Sequence, residues 1–250
     1  WGQNTQPKKA SPPYLDPLDM MERAAREAGR IAGQGIWQHI DTVLVVRTHS
    51  RNLTSPGEAI ADRLRINPHT VCVSGIGGET PQHFVNQAAG MLARGESQGV
   101  LICGAETYYP RSDDDVRGEA ALIQGLPEDY DAEDAVGSNE LEQRHGLTLP
   151  IHGFPLFENA LWAASGLDRR AWLDQVGGLW SKFSQVAAAH PNSWTREAVS
   201  VQRIVTPQAD NRPICFPYTK RMVSLVMADL GAAVILTTTS KAEEIGRAHV

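Results

Sequence analysis

Residues Gly75-Ile76-Gly77-Gly78-Glu79-Thr80-Pro81 stand between an apolar run and a stretch with helical spacing. A strand, a glycine turn and a helix start in that order make a place for an anion or a nucleophile. The unpaired N–H groups of the first helical turn and the helix dipole both favour negative charge. Gly77, Gly78 and Thr80 are candidate substrate-binding residues on this ground, with Thr80 as N-cap and Pro81 as the first helical residue. Glu79 is a candidate general base, though the dipole stabilises its ionised form and so weakens it as a base. His83, in the first turn, is a candidate to face a pocket, against the alternative of an ordinary surface or core histidine. Tyr108 and Tyr109 follow a strand end, where α/β sites gather, with packing as the plainer role. Lys220 and Arg221 form a cationic pair suited to a phosphate-bearing ligand or to solvent alone.

The elements that must position these residues read in alternation. Met20, Ala24, Ala28 and Ile31 give Asp19 to Gln34 a helical period. Thr42 to Val46 is a buried strand, Glu58 to Ile66 a short helix after Pro56-Gly57, and Thr70 to Ser74 a second strand. Phe84, Ala88 and Leu92 form one stripe of a helix from Pro81 to Arg94, and Gln98 to Cys103 is another strand. The order β-α-β-α-β is that of a mainly parallel sheet covered by helices. Asp113 to Glu142 then holds eleven acidic residues and one basic residue, Arg117, and reads as an exposed insertion. Asp168 caps a helix in which Leu173, Val176, Trp180, Phe183 and Ala187 form a core stripe ended by Pro191. Gln202 to Ser224 is irregular, and Ala232 to Thr238 returns as a strand that rejoins the first sheet.

With 42% apolar and 21% charged residues and a net charge of −6, the 250-residue chain suits a globular α/β protein. The acidic balance, without a run of Lys or Arg, argues against nucleic acid and anionic membrane as partners. No apolar stretch is long enough to span a bilayer, and the cytoplasm is the expected location. Cys72, Cys103 and Cys215 are scattered without metal-ligand spacing, which gives neither a disulfide framework nor a zinc site. The chain opens at Trp1 in what reads as the tail of a strand, and Ile245 to Val250 matches a translated sequencing adapter. A fragment whose residues 245–250 are foreign to the fold is the expectation.

Two families place a glycine turn before a helix. The dinucleotide fingerprint is met in part, by Gly75, Gly77 and Glu106, but its third small position holds Thr80. The stretch VCVSGIGGETPQHFVNQAAGMLARGESQGVLICGAE, Val71 to Glu106, more fully resembles the thiolase N-terminal domain. Pro217-Tyr218-Thr219-Lys220 resembles the Pro-x-Thr-Lys of the sterol-carrier-protein type of thiolase. Asp229-Leu230-Gly231-Ala232-Ala233 resembles the Asp-Gly-Ala-Ala strand entry, with Leu230 in the glycine position. Phe154 to Ala160 and Ser184 to Ala188 resemble the loop domain of acetyl-CoA acetyltransferase-like members.

The resemblance implies a thiolase N-terminal half with a buried central helix. Its first part would be 1–106, a loop domain 107–200 and a return 201–244. It also implies a coenzyme A thioester as substrate or ligand with no other cofactor, Tyr218, Lys220 and Arg221 near it, and a homodimer. Thiolases start the central helix with a nucleophilic Cys, whose pKa the dipole lowers. A gap-free count back from Gly95 puts that position on Gly78, and Cys72 is expected to be buried in its strand. Three functions follow from the resemblance: an acyl-CoA acyltransferase homologue, a non-catalytic acyl-CoA or lipid binder, or a retro-aldol lyase on sterol-type CoA esters. The lyase would use tyrosine acid–base groups and an OB-fold partner.

Overall fold

Asp16 starts the first helix, α1 (Pro17–Ala32), through a capping box with Asp19, and Gly33, at φ 99°, ends it. Met20, Met21, Ala24, Ala25 and Ala28 repeat at helical spacing and are all buried. The computed structural model describes residues 1–7, 10–75, 77–109, 139–147, 149–225 and 228–246. Most of the acidic stretch, Ile76 of the glycine turn and residues 247–250 lie outside these. Contacts group Trp1–Tyr130 with Met227–Val250 as one unit and Asp131–Val226 as another. Among the described residues no helix is long and apolar enough to cross a membrane.

In the first unit, strands β1 (Gly2–Thr5), β2 (Thr42–Val45), β3 (Thr70–Val73) and β4 (Gly99–Thr107) join a later strand at Asp229–Thr237 in one sheet. The β-α-β-α-β run is as expected, with α2 (Pro56–Leu64) and α3 (Thr80–Ala93) as its crossovers. β2 pairs in parallel with β3 and β4, which places their C-terminal ends side by side. The returning strand pairs antiparallel with both β4 and β1, so it alone is reversed in a mainly parallel sheet. β4 runs four residues past Cys103, because the returning strand pairs with it from Gly99 through Thr107.

The sheet's two faces pack differently. Val43, Val45, Leu101, Cys103, Ala105 and Ala233 lie with α1 and α2 in the larger core, against which Ile245 also packs. Gly2 and Gly231 let α1 lie directly on the strands: a Cβ on Gly231 would stand 2.6 Å from the Met20 carbonyl oxygen. Leu44, Val100 and Ile102 face α3, where Phe84 and Ala88 are buried and Leu92 partly so. The outer side of α3, with Gln82, His83, Asn86 and Gln87, is exposed, so the described residues cover this central helix on its sheet side only.

The second unit holds α4 (Glu140–Arg144), α5 (Pro150–Ser165), α6 (Arg169–Ala189) and α7 (Val201–Val205), with a hairpin of β5 (Pro213–Cys215) and β6 (Tyr218–Thr219). The segment expected to be irregular thus holds α7 and this hairpin. Asp168 caps α6 as expected, its carboxylate accepting from the Ala171 N–H at 2.8 Å. The expected core stripe of α6 holds in part: Val176 and Trp180 pack against the core of this unit, but Phe183 is exposed and Leu173 and Ala187 are only half-buried, while Trp172, Gly177 and Ser181 are buried. α6 packs along α7 and residue 199, and the missing side chain of Gly177 lets Val201 and Val205 approach. The Ser181 hydroxyl bonds the Val199 carbonyl on the same side. The returning strand is β7 (Asp229–Thr237), and α8 (Thr239–Glu244) follows it.

Candidate functional site

The turn after β3 forms as its residues suggest, with one correction. Thr80 is the first helical residue rather than the cap, and Pro81 follows it; Glu79 holds the N-cap position without a side-chain cap bond. The Thr80 hydroxyl instead donates to the Gly77 carbonyl at 2.6 Å, which draws the turn against the helix start. Glu79 and His83 are both exposed. A Cβ placed on Gly78 meets nothing within 4 Å, and Gly78 is not among the positive-φ glycines. The position at the head of α3 therefore has room for a side chain and carries none.

None of the three cysteines stands at that helix start. Cys72 lies in β3, an edge strand, and is half-buried rather than buried, since only one neighbouring strand and α3 cover it. Cys103, on the α1 face of β4, is the buried thiol, and burial pushes its pKa up to about 12. Cys215 belongs to the second unit.

Tyr218, Lys220 and Arg221 also lie in the second unit. The Tyr218 hydroxyl donates to Glu158 at 3.1 Å, and burial and then the Glu158 charge push its pKa up to about 12. Lys220 is exposed. Arg221 is engaged by Asp210 at 3.0 Å, an acid also bridged by Arg203. The Asn211 carboxamide oxygen holds the Arg221 N–H, and its amide reaches carbonyls of Arg203, Ile204 and Thr206, so Arg221 serves the architecture of this turn.

A cluster that the residue types alone did not single out lies where β2 and β4 end. Glu106 accepts the N–H groups of His49 and Ser50, both at 2.8 Å. The Ser50 hydroxyl accepts the Thr107 N–H at 2.9 Å, and the Thr48 hydroxyl donates to the Ala105 carbonyl. So tied, the 48–50 loop brings His49 Nδ1 to 2.5 Å from the Tyr108 hydroxyl oxygen. Burial and then the Glu106 charge raise the Tyr108 pKa, which keeps the phenol protonated. Asp229, fully buried, accepts from the Gln6 amide at 3.0 Å and the Tyr109 N–H at 2.8 Å, and so fixes the chain just beyond Tyr108. The available signal was positional: His49 and Tyr108 each follow the C-terminal end of a strand, and those two strands are neighbours.

An open groove of about 270 Å³ runs along the β4 and β7 surface beside the start of α3. Pro81, Val85, Ile102, Leu230 and Val234 make it apolar, and Arg47 and Glu106 are its charged members. Among the described residues no group of His, Cys, Asp or Glu is arranged to hold a metal ion.

No family model and no curated protein matches the sequence. Solved structures do. A monomeric SCP2-thiolase-like protein type 1 from Mycobacterium smegmatis aligns with a TM-score of 0.74 at 27% identity, over 98% of this chain and 46% of that one. An Ltp2–ChsH2(DUF35) aldolase aligns with a TM-score of 0.65 at 16% identity, over 97% of this chain and 56% of that one. The chain thus spans about half the length of these structures. The architecture is the thiolase-like α/β fold that they share with it.

Proposed function

We propose that the chain belongs to a thiolase-like protein, of the acetyl-CoA acetyltransferase-like group, that binds an acyl-CoA without forming an acyl-cysteine. The observation that carries this reading is Gly78: the head of α3 offers a helix dipole and an unobstructed position but no thiol. Within the second unit, Lys220 is an exposed cation suited to a coenzyme A phosphate, while Arg221 already answers Asp210. Gly77, Gly78 and Thr80 form the backbone edge against which the thioester would lie. Glu79 and His83 are exposed, and among the described residues no side-chain hydrogen bond orients either, so neither is assigned a catalytic role.

Calorimetry with acetyl-CoA, followed by mass spectrometry, tests the reading. Binding without a covalent adduct is expected, and an acetyl group mapped to Cys72 would overturn it. Gly78→Cys sharpens the test: a thiol there should alkylate with a pKa below the ~8.5 of a free cysteine and be protected by acetyl-CoA. An unshifted thiol without protection would remove Gly78 from the nucleophile position.

A second reading, a retro-aldol lyase on a CoA ester, is favoured by the Tyr108–His49 pair, an acid–base group that needs no cysteine. One of the similar structures is named as an aldolase, and its name includes ChsH2(DUF35). An OB-fold partner belongs to this second reading, and a homodimer to either. Cleavage of a β-hydroxyacyl-CoA, lost in Tyr108→Phe, is its expected outcome; activity unchanged in that variant counts against it.

A further inference from the structure

At 2.5 Å, two proton arrangements fit His49 Nδ1 and the Tyr108 hydroxyl. Either the phenol donates to a bare Nδ1, or Nδ1–H donates to the phenol oxygen. In the second case the phenol proton needs another acceptor, and among the described residues Tyr108 has none. In the first case each proton of the contact is used. The first arrangement also sets the phenol, the stronger donor, against the imidazole nitrogen, the stronger acceptor. A neutral imidazole accepting at Nδ1 carries its proton on Nε2.

That Nε2 has no partner among the described residues and is not among their buried polar atoms, so solvent or a ligand can reach it. The Tyr108 hydroxyl at Nδ1 holds the ring, and the backbone that carries it is fixed, because Glu106 holds the His49 and Ser50 N–H groups and Ser50 holds the Thr107 N–H. The Glu106 carboxylate holds the backbone of this loop, and its charge also raises the Tyr108 pKa, which keeps the phenol able to donate. A neutral N–H donor is matched by a neutral acceptor such as a carbonyl oxygen.

We propose that Tyr108 locks His49 in the Nε2–H tautomer and that His49 thereby offers this N–H to a carbonyl oxygen of the ligand. The identity of that carbonyl, the thioester C=O of an acyl-CoA, rests on the reading above; the tautomer does not. Glu106 is a positioning residue in this arrangement.

Two-bond 1H–15N correlation spectra of histidine-labelled chain, recorded above the ordinary histidine range (~6.5), read the tautomer directly. His49→Gln identifies the His49 signals among the eight histidines. A single Nε2–H pattern that becomes a mixture in Tyr108→Phe is expected. An Nδ1–H pattern in the native chain, or no change in Tyr108→Phe, overturns the lock. Acetyl-CoA should then shift the Nε2 resonance. His49→Asn, whose amide cannot reach as far as Nε2, should weaken acetyl-CoA about tenfold, the equivalent of ~1.4 kcal/mol, while His49→Gln restores most of the affinity. Circular dichroism confirms that each variant is folded. Equal affinity in both variants overturns the carbonyl contact. If native chain binds no acetyl-CoA, the acyl-CoA reading and the thioester contact both fall, and the spectra still decide the lock.

Discussion

The two faces of the five-stranded sheet are built from the same strands yet differ in how they are closed. On one, α1 lies against β1 and β7 with glycine backbones at the contact, and the side chains beneath it are sealed from water. On the other, α3 lies over β4 and part of β7, with Leu44 and Leu236 in the same cluster, and farther along β7 Leu230 and Val234 stay 46% and 38% exposed. The closed face carries stability. The open face, with the groove, the Gly78 turn and the Glu106 side chain, carries the candidate chemistry, because a ligand needs surface that packing has not already used. An apolar alternation such as Leu230, Ala232 and Val234 marks a face that expects cover without saying what supplies it.

The sharpest way to break this comparison is to crowd the closed face. Gly2→Val would drive a side chain into the Ala24 carbonyl and the Glu27 side chain and lift α1 from the sheet. Overpacking of this kind costs about 3 kcal/mol. Urea denaturation should report that loss, and a variant as stable as the native chain would show that α1 is not pinned there. A smaller effect is expected at the opposite end of the strands, where β4 begins. Burial of Asp41 works against its charge, but bonds from the Ser97 hydroxyl, the Gln98 N–H and Thr42 lower its pKa below the usual 3.8. A carboxylate depressed in the folded state contributes stability that is present above its unfolded value and lost as pH falls through the folded one. Ser97→Ala should therefore cost about 1 kcal/mol near neutral pH and shrink the loss of stability below pH ~4. An acid limb identical to that of the native chain would remove Ser97 from the account. The smallest effect belongs to the open face: Leu230→Ser should change stability by no more than about 0.5 kcal/mol. A larger loss would mean that this face is closed after all.

Much of the fold was legible in the residues. The apolar runs at residues 42–46, 70–74 and 98–103 and the stripe of Phe84 and Ala88 were enough for β-α-β-α-β, since a short apolar run between turns marks a buried strand and helical spacing marks the buried face of a helix. The α6 stripe holds only at Val176 and Trp180. Large apolar residues at helical spacing suggest a core, but the close approach at Gly177 draws the neighbouring side of the helix inward as well, and a glycine leaves no mark in hydrophobic periodicity.

For the site, the sequence by itself determined the turn from Gly75 to Thr80, the absence of a cysteine near Gly78 and the acid at the end of β4, all properties of neighbouring residues. Tertiary structure alone decided that Thr80 bonds back to Gly77 and that Asp210 takes up Arg221. It also decided that Cys103 and not Cys72 is the sealed thiol, and that His49 and Tyr108, 59 positions apart, meet at 2.5 Å. That last contact depends on the parallel register of β2 and β4 and on a carboxylate binding the loop between strand and helix. Pairings of this kind are set by which strand ends lie side by side, and no local spacing in the chain encodes them.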